Sequence, residues 1–123
     1  MAESIREKLE VAQERLLLMG VILPGSIVNP HDPLDELRAL ARTAGGVVVD
    51  EMVARRNAIH PGLYIGSGKA EEVAQRVQQN QVDTVIFDAD LSPAQIRDLE
   101  TIIGRKVIDR SELILDIFAA HAR

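Results

Sequence analysis

The chain has 123 residues, a formal net charge of -5 and no cysteine. This length allows one hydrophobic core, and 46% apolar with 27% charged residues is the composition of a globular domain. The lack of cysteine excludes disulfides, thiolate metal sites and cysteine nucleophiles, and the acidic balance argues against indiscriminate coating of nucleic acid.

The N-terminal region divides into a polar segment and a buried strand. Residues 1–13 carry mixed charges with apolar residues at helical spacing, which predicts a helix or a loosely attached arm. Leu16–Ile22 is a continuous apolar run that Pro24 ends, and such a run is typical of a strand covered on both faces. The sequence indicates neither a signal peptide nor a membrane span, so we expect a soluble, cytoplasmic protein.

A helix and a second strand are predicted next. The carboxylate of Asp32 can accept a hydrogen bond from a free amide, and proline is tolerated in the first turn, so we expect a helix to begin there. Its apolar face continues to about Thr43, and Gly45-Gly46 provides a left-handed stop. The second strand opens with Val47–Val49 and extends past Val53.

The second half of the chain continues this alternation. A helix follows Gly68 and ends near Asn80, and Thr84–Phe87 is a third strand. Ser92 and Gln95 have the spacing of a capping box at the start of the next helix, which a glycine ends.

The last predicted elements are a short strand and a final helix, and they complete an α/β pattern. The strand is Lys106–Ile108, and the D-x-x-E spacing from Asp109 begins the helix. We expect the buried side of this helix to consist of Leu113, Ile114, Ile117 and Phe118. The alternation predicts a single domain with a parallel sheet of about four strands and helices on both faces. Ligands of such sheets bind at the carboxyl ends of the strands.

The connection between the second strand and the second helix concentrates positive charge. Segment 55–69 contains no acidic residue and has a formal charge of +3. Cations of this kind contact phosphates, and ring side chains stack on bases or donate hydrogen bonds to them, which favours an RNA contact. The candidate RNA-binding residues are Arg55, Arg56, His60, Tyr64 and Lys69. An ordinary solvated, charged loop is the competing interpretation.

A phosphate site at the start of the second helix is a further candidate. Gly66, Ser67, Gly68 and Lys69 offer free amide protons, a helix dipole and an ammonium group. A P-loop would require glycine at position 63 and a hydroxyl at position 70, where the chain has leucine and alanine. Of the three interpretations of this segment, a plain glycine-rich helix start is favoured. Weak phosphate or nucleotide binding is the second, and NTP hydrolysis is the third.

Catalytic and metal sites have little support. Asp88, Asp90 and Asp109 follow neighbouring strands and have the chemistry to hold magnesium, but capping of turns and helices accounts for them. The three histidines have no partner at metal-ligand spacing. We therefore expect no catalytic residue, metal or cofactor in this chain.

Five motifs follow one another in the chain: His60–Lys69, Phe87–Gln95, Arg97–Glu100, Val107–Arg110 and Leu113–Ala119. In this order and at these distances they resemble the N-terminal domain of HflX-type GTPases, over roughly residues 14–123. The chain departs from the residues usual in that family at Asp98 and His121.

The resemblance implies that residues 14–123 are an α/β domain and that the chain stops where a helical linker would begin. In the family this linker leads to a P-loop GTPase domain, which would use GTP and Mg. It implies a stress-related protein that binds the large ribosomal subunit and its rRNA and splits ribosomes. Further expected partners are the GTPase domain of the same protein and weakly bound ATP. We therefore expect a non-catalytic ribosome-binding and regulatory domain. The alternative is an autonomous nucleotide-binding or ATP-hydrolysing domain that uses Lys69 for phosphate and Asp88 or Asp90 for magnesium.

Overall fold

A computed structural model describes residues 11–121 of the chain, and within them strands and helices alternate. The strands are β1 (Arg15–Ile22), β2 (Val47–Arg55), β3 (Thr84–Phe87) and β4 (Lys106–Asp109). The helices are α1 (Asp35–Thr43), α2 (Ser67–Gln79), α3 (Pro93–Ile103) and α4 (Arg110–His121). The predicted α/β class is confirmed. Among these helices, none has the length and apolar character that crossing a membrane requires.

Strand β1 lies inside the sheet, whose order is β2-β1-β3-β4 with all strands parallel. Leu16 is in register with Thr84 of β3, and Ile22 is in register with Arg55 of β2. Leu16–Met19 is completely buried, as its continuous apolar run predicts for a strand covered on both faces.

Each face of the sheet carries its own hydrophobic core. Leu17, Met19 and Phe87 pack with apolar residues of α2 and α3 on one face. On the other face, Leu16 and Leu18 pack with residues of α1 and α4. The predicted helices on both faces are confirmed, and the side-chain alternation of β1 supplies both cores at once.

The glycine and serine boundaries of the helices are confirmed. Gly45 follows α1 with a φ of 87°, and Gly104 ends α3 with a φ of 76°, both in the left-handed region. Ser92 accepts a hydrogen bond from the Gln95 amide, and the Gln95 side chain accepts one from the Ser92 amide, which completes the predicted capping box.

The predicted helix start at Asp32 is wrong. Helix α1 begins at Asp35 and has Leu34 at its N-cap, without a side-chain cap. The Asp32 carboxylate instead accepts two hydrogen bonds from the Arg38 guanidinium, at 2.8 and 2.7 Å, and these lower the pKa of Asp32. A carboxylate near a helix start thus binds a side chain one turn inside the helix rather than the free amides.

The predicted burial of Phe118 is also wrong, because its side chain is 67% exposed while Leu113 is completely buried. The two are five positions apart, which on a helix of 3.6 residues per turn places them on opposite sides. Most of the predicted N-terminal arm lies outside the described residues. Its last part forms a turn, in which the Glu14 amide donates to the Val11 carbonyl at 3.0 Å.

Candidate functional site

The predicted site residues lie at the carboxyl edge, which is the edge of the sheet where all four strands end. The loops that leave this edge are the β1–α1 loop (residues 23–34), the β2–α2 loop (residues 56–66) and the β3–α3 loop (residues 88–92). The first two begin side by side, because Ile22 is in register with Arg55 and the Arg56 amide donates to the Ile22 carbonyl at 3.0 Å.

Arg56 holds the β2–α2 loop together. Its Nε donates to the Ala58 carbonyl at 3.0 Å and its Nη1 to the Ile65 carbonyl at 2.9 Å, across the width of the loop. Gly66 completes this arrangement: its φ is 81°, and a Cβ added there would lie 3.1 Å from Arg56 Nη1. The guanidinium is half-buried, and two of its N–H groups donate to loop carbonyls. Arg56 therefore stabilises the loop.

His60 closes a tight turn within the same loop. Its amide and carbonyl pair with those of Tyr64 at 2.9 and 2.8 Å. The ring Nδ1 accepts hydrogen bonds from the amides of Gly62 and Leu63, at 3.1 and 3.0 Å. In the neutral ring the proton is therefore on Nε2, which leaves Nε2 as the donor for an external partner.

Tyr64 connects the loop to the core. Its backbone has a φ of 61°, and its ring packs edge-on against Phe87, with centroids 6.4 Å apart and planes at 87°. Partial burial raises the pKa of the Tyr64 hydroxyl, and the negative charges of Asp88 and Asp90 raise it further. The phenol therefore stays neutral and can both donate and accept hydrogen bonds.

The glycine-rich helix start forms as predicted, with Gly66 at the N-cap and Ser67 as the first residue of α2. No side chain caps it, and both Ser67 and Gly68 are exposed. Lys69, however, pairs with Glu72 one turn along the helix, with 2.7 Å between Nζ and Oε2. The ammonium is thus partly neutralised by its own helix.

Arg55 differs from the other two cations, because its side chain is exposed. Within residues 11–121 we find no hydrogen bond or ion pair to its guanidinium. Arg55, Arg56 and Asn57 line a shallow cleft of about 300 Å³, together with Leu23 and Pro24 of the β1–α1 loop. Of the three cations in segment 55–69, Arg55 is therefore the one whose side chain is exposed and has no partner among residues 11–121.

A larger cleft of about 570 Å³ lies on the other side of the β1–α1 loop, and it is acidic. Its lining includes Asp35, Glu36 and Asp88, with Arg110 as the one basic residue. Arg110 binds Asp88 at 2.9 Å and Glu36 at 3.3 Å. The balance of charge makes this cleft unfavourable for phosphate.

The three aspartates at the carboxyl ends of β3 and β4, which are Asp88, Asp90 and Asp109, have separate partners. Both carboxylate oxygens of Asp109 accept backbone amides, from Leu91 at 3.0 Å and Glu112 at 2.9 Å. Asp88 binds Arg110, and Asp90 accepts from the Ser111 hydroxyl at 2.7 Å. In the described part of the chain, no three potential ligands converge on a metal position.

Sequence reasoning missed three exposed aliphatic side chains at this edge. In the β1–α1 loop Ile27 is fully exposed and Val28 is 39% exposed, and in the β2–α2 loop Ile59 is 40% exposed. An aliphatic residue inside a stretch of Pro, Gly, Ser and Asn, such as Pro24–Pro30, was the available signal, because it cannot belong to an apolar face of regular period.

Comparison with known proteins identifies relatives of the chain. Residues 31–119 match the family described as "GTP-binding GTPase N-terminal". The chain is 43% identical to GTPase HflX of Lacrimispora saccharolytica over 115 residues, which are 94% of the chain and 27% of that relative. It is 44% identical to GTPase HflX of Escherichia coli over 92 residues, which are 75% of the chain and 22% of that relative.

Solved structures give the same fold. A GTP-binding protein from Sulfolobus solfataricus in complex with GDP is 20% identical, with a TM-score of 0.63, over 87% of the chain and 30% of that protein. The chain spans about a quarter of the length of the HflX relatives. With the family match covering most of its length, the chain belongs to the family of N-terminal domains of HflX-type GTPases.

Proposed function

We propose that this chain is a non-catalytic RNA-binding domain that attaches an HflX-type GTPase to the large ribosomal subunit through the carboxyl edge of its sheet. The observation that carries the proposal is the open guanidinium of Arg55 beside a rigid loop. GTP hydrolysis, with Mg, would belong to a domain outside the sequence described, and regulation would come from coupling between the two domains.

The rigidity of the β2–α2 loop supports this role. Arg56, the His60–Tyr64 pair and the bond from Gln95 Nε2 to the Pro61 carbonyl at 3.0 Å hold its backbone in place. A loop that is already ordered loses little conformational entropy when it binds. The ribosomal partner itself is inferred from the resemblance of the motifs to HflX-type GTPases.

The nucleotide-hydrolysing alternative has weaker support. Its proposed phosphate ligand, Lys69, pairs with Glu72, and its proposed magnesium ligand, Asp88, pairs with Arg110. A phosphate-release assay on this chain tests the alternative directly. Turnover of ATP that Lys69→Ala abolishes would overturn the non-catalytic proposal.

Binding of the chain to purified large ribosomal subunits, measured over a series of salt concentrations, tests the proposal. We expect Arg55→Ala to weaken binding, and to reduce the slope of log K against log salt by about 0.7 to 0.9, the value for one lost phosphate contact. Arg42→Ala is the matched control: it removes the same charge from an exposed position in the last turn of α1, at the opposite edge of the sheet.

Two outcomes would contradict the proposal. One is no binding of the wild-type chain to the subunit at any salt concentration. The other is equal affinity and equal salt slope for Arg55→Ala and Arg42→Ala, since the contact would then depend on overall charge rather than on the carboxyl edge.

A further inference from the structure

We infer that the β2–α2 loop is sensitive to pH: the neutral ring of His60 closes the turn at residues 60–64, and protonation of the ring opens it. The closed turn depends on the ring as an acceptor, because Nδ1 accepts from the amides of Gly62 and Leu63 at 3.1 and 3.0 Å. Histidine is the side chain that ordinarily gains a proton between about pH 8 and pH 5.

The hydrogen bonds of this turn are those that an asparagine or aspartate makes in an Asx turn, where a side-chain oxygen accepts from the backbone two residues on. Here the ring nitrogen accepts from the amides two and three residues on. Pro61, which lies between, has no amide to donate. The ring also lies against Gly62, since a Cβ added there would be 3.5 Å from His60 Cε1. A titratable ring therefore stands where other turns of this kind have an oxygen.

Protonation reverses the role of Nδ1. One nitrogen of a neutral imidazole accepts, whereas both nitrogens of the protonated ring donate. Since Nε2 carries the proton of the neutral ring, the added proton goes to Nδ1 and points at two amide N–H groups. Both hydrogen bonds are then lost, and two backbone donors are left without this acceptor. The bonds are thus present at the higher pH, where the ring is neutral, and are lost as the pH falls.

Charged groups on the adjoining segments have partners other than this ring. Those of the β2–α2 loop, the β3–α3 loop and the residues beside them are Arg55, Arg56, Tyr64, Lys69, Asp88 and Asp90. Within residues 11–121, none of these is joined to the imidazole by a hydrogen bond or an ion pair. The first turn of α3, which reaches the loop through the bond from Gln95 to Pro61, contains no charged residue. The proton of His60 is therefore coupled to the two amides rather than to a salt bridge.

Opening of the turn would spread to Tyr64. The backbone of Tyr64 pairs with that of His60 at 2.9 and 2.8 Å, and it holds a φ of 61°, which is uncommon for a residue other than glycine. The Arg56 bonds at the two ends of the loop do not involve the ring and would remain. The fully ordered loop is thus the form that exists while His60 is neutral.

Amide exchange measured by NMR at about pH 8 and about pH 5 tests this inference. Each exchange rate is divided into the intrinsic rate at the same pH, which removes the direct effect of pH on exchange. We expect this protection to fall at least about tenfold for Gly62 and Leu63, and the fall should follow the titration of the His60 ring in the same samples. Amides of β1 should keep their protection, which would show that the domain stays folded.

Two substitutions separate the acceptor from the proton. His60→Asn places a carboxamide oxygen near the position of Nδ1, and this oxygen accepts without titrating, so protection at the two pH values should agree within about twofold. His60→Ala removes the acceptor and should give low protection at both. His31→Asn is the matched control: it removes an exposed histidine of the β1–α1 loop and should leave the response of the wild type unchanged.

Three results would overturn the inference. One is full protection of Gly62 and Leu63 after the His60 ring has gained its proton. Another is an equal fall in His60→Asn, because a different group would then be the one that titrates. The third is a ring that stays neutral down to about pH 5. None of these bears on the proposed function, which the ribosome binding of Arg55→Ala tests separately.

Discussion

The two edges of the sheet use their charged side chains differently. At the amino edge, where the strands begin, Arg15 donates three hydrogen bonds to the carbonyls of Asn80 and Gln81, and Arg105 donates to the Val82 carbonyl at 2.8 Å. At the carboxyl edge, the Arg55 side chain is exposed, and so are three aliphatic side chains of the loops, Ile27, Val28 and Ile59. The arginines of the amino edge stabilise the domain, and the carboxyl edge leaves exposed the groups through which we propose that it binds RNA.

The connection after α2 explains part of this difference. Helix α2 ends at the amino edge, and the residues that follow it, Asn80 to Val82, present carbonyls to which Arg15 and Arg105 donate. Arginine, with five N–H donors, can bind several carbonyls at once. Helices begin at the carboxyl edge, where the free groups are amides, so a cation there pairs with a carboxylate, as Lys69 does with Glu72, or with carbonyls that a loop provides. The β2–α2 loop provides them for Arg56 alone among its cations.

The largest expected effect is at the amino edge. Glu14 accepts hydrogen bonds from Lys106 Nζ and from the completely buried Thr84 hydroxyl, both at 2.9 Å. Glu14→Ala leaves that hydroxyl without this acceptor, and we expect the free energy of unfolding to fall by about 2 kcal/mol. Urea denaturation measures this loss. Unchanged stability, or a loss of RNA binding by folded protein, would break the comparison of the two edges.

A smaller effect is expected from Arg56→Ala, which tests whether one cation at the carboxyl edge is structural. Removing its bonds to Ala58 and Ile65 should lower stability by about 1 kcal/mol. Amide exchange should become faster in the β2–α2 loop, as hydrogen exchange with mass spectrometry can measure. Arg55→Ala is the control and should leave exchange in the loop unchanged. If the two variants gave the same exchange pattern, the distinction between the neighbouring arginines would be wrong.

The smallest effect concerns the electrostatics of the carboxyl edge. Tyr64 is the one tyrosine in a chain without tryptophan, so the absorbance of tyrosinate reports on it alone. Its pKa is raised by burial, by Asp88 and by Asp90, so the midpoint should lie above the ordinary value of 10.0. A raised pKa favours the protonated folded state, so stability should fall as the pH rises from 10.0 through the midpoint.

Asp90→Asn removes one of these negative charges and should shift the midpoint of Tyr64 part of the way back toward the ordinary value. Glu71→Gln, on the exposed side of α2, is the matched control and should leave the midpoint unchanged. A midpoint at or below the ordinary value in the wild type would contradict the partial burial of the Tyr64 ring.

Local chemistry made much of this fold predictable. The apolar run of β1, the capping box at Ser92 and the glycine after α1 each act over a few neighbouring residues, and all three are confirmed. The Asp32 prediction failed because the guanidinium of Arg38, which also binds Glu51 of β2, takes its carboxylate. The Phe118 prediction failed because burial on α4 depends on how that helix packs on the sheet. The strand order is decided by the same long-range packing.

The sequence predicts where the candidate site lies, but not which of its cations are structural and which are exposed. Charge and glycine content point to segment 55–69 at the carboxyl edge. Arg55 and Arg56 are neighbouring residues of the same type. Arg55 ends strand β2 with its side chain exposed, whereas Arg56 donates to the Ile65 carbonyl. That difference arises from the direction of each side chain on the backbone, which composition does not contain.

The position of β1 inside the sheet has a consequence for how the domain is made. During translation β1 is synthesised before the other three strands of the sheet. Its neighbour β3 pairs with it across a sequence separation of 68 residues, from Leu16 to Thr84. At about 5–20 residues per second, roughly 3–13 s pass between synthesis of the end of β1 and the end of β3. During that time an apolar strand has no partner on one side, so chaperone access and translation speed become determinants of yield.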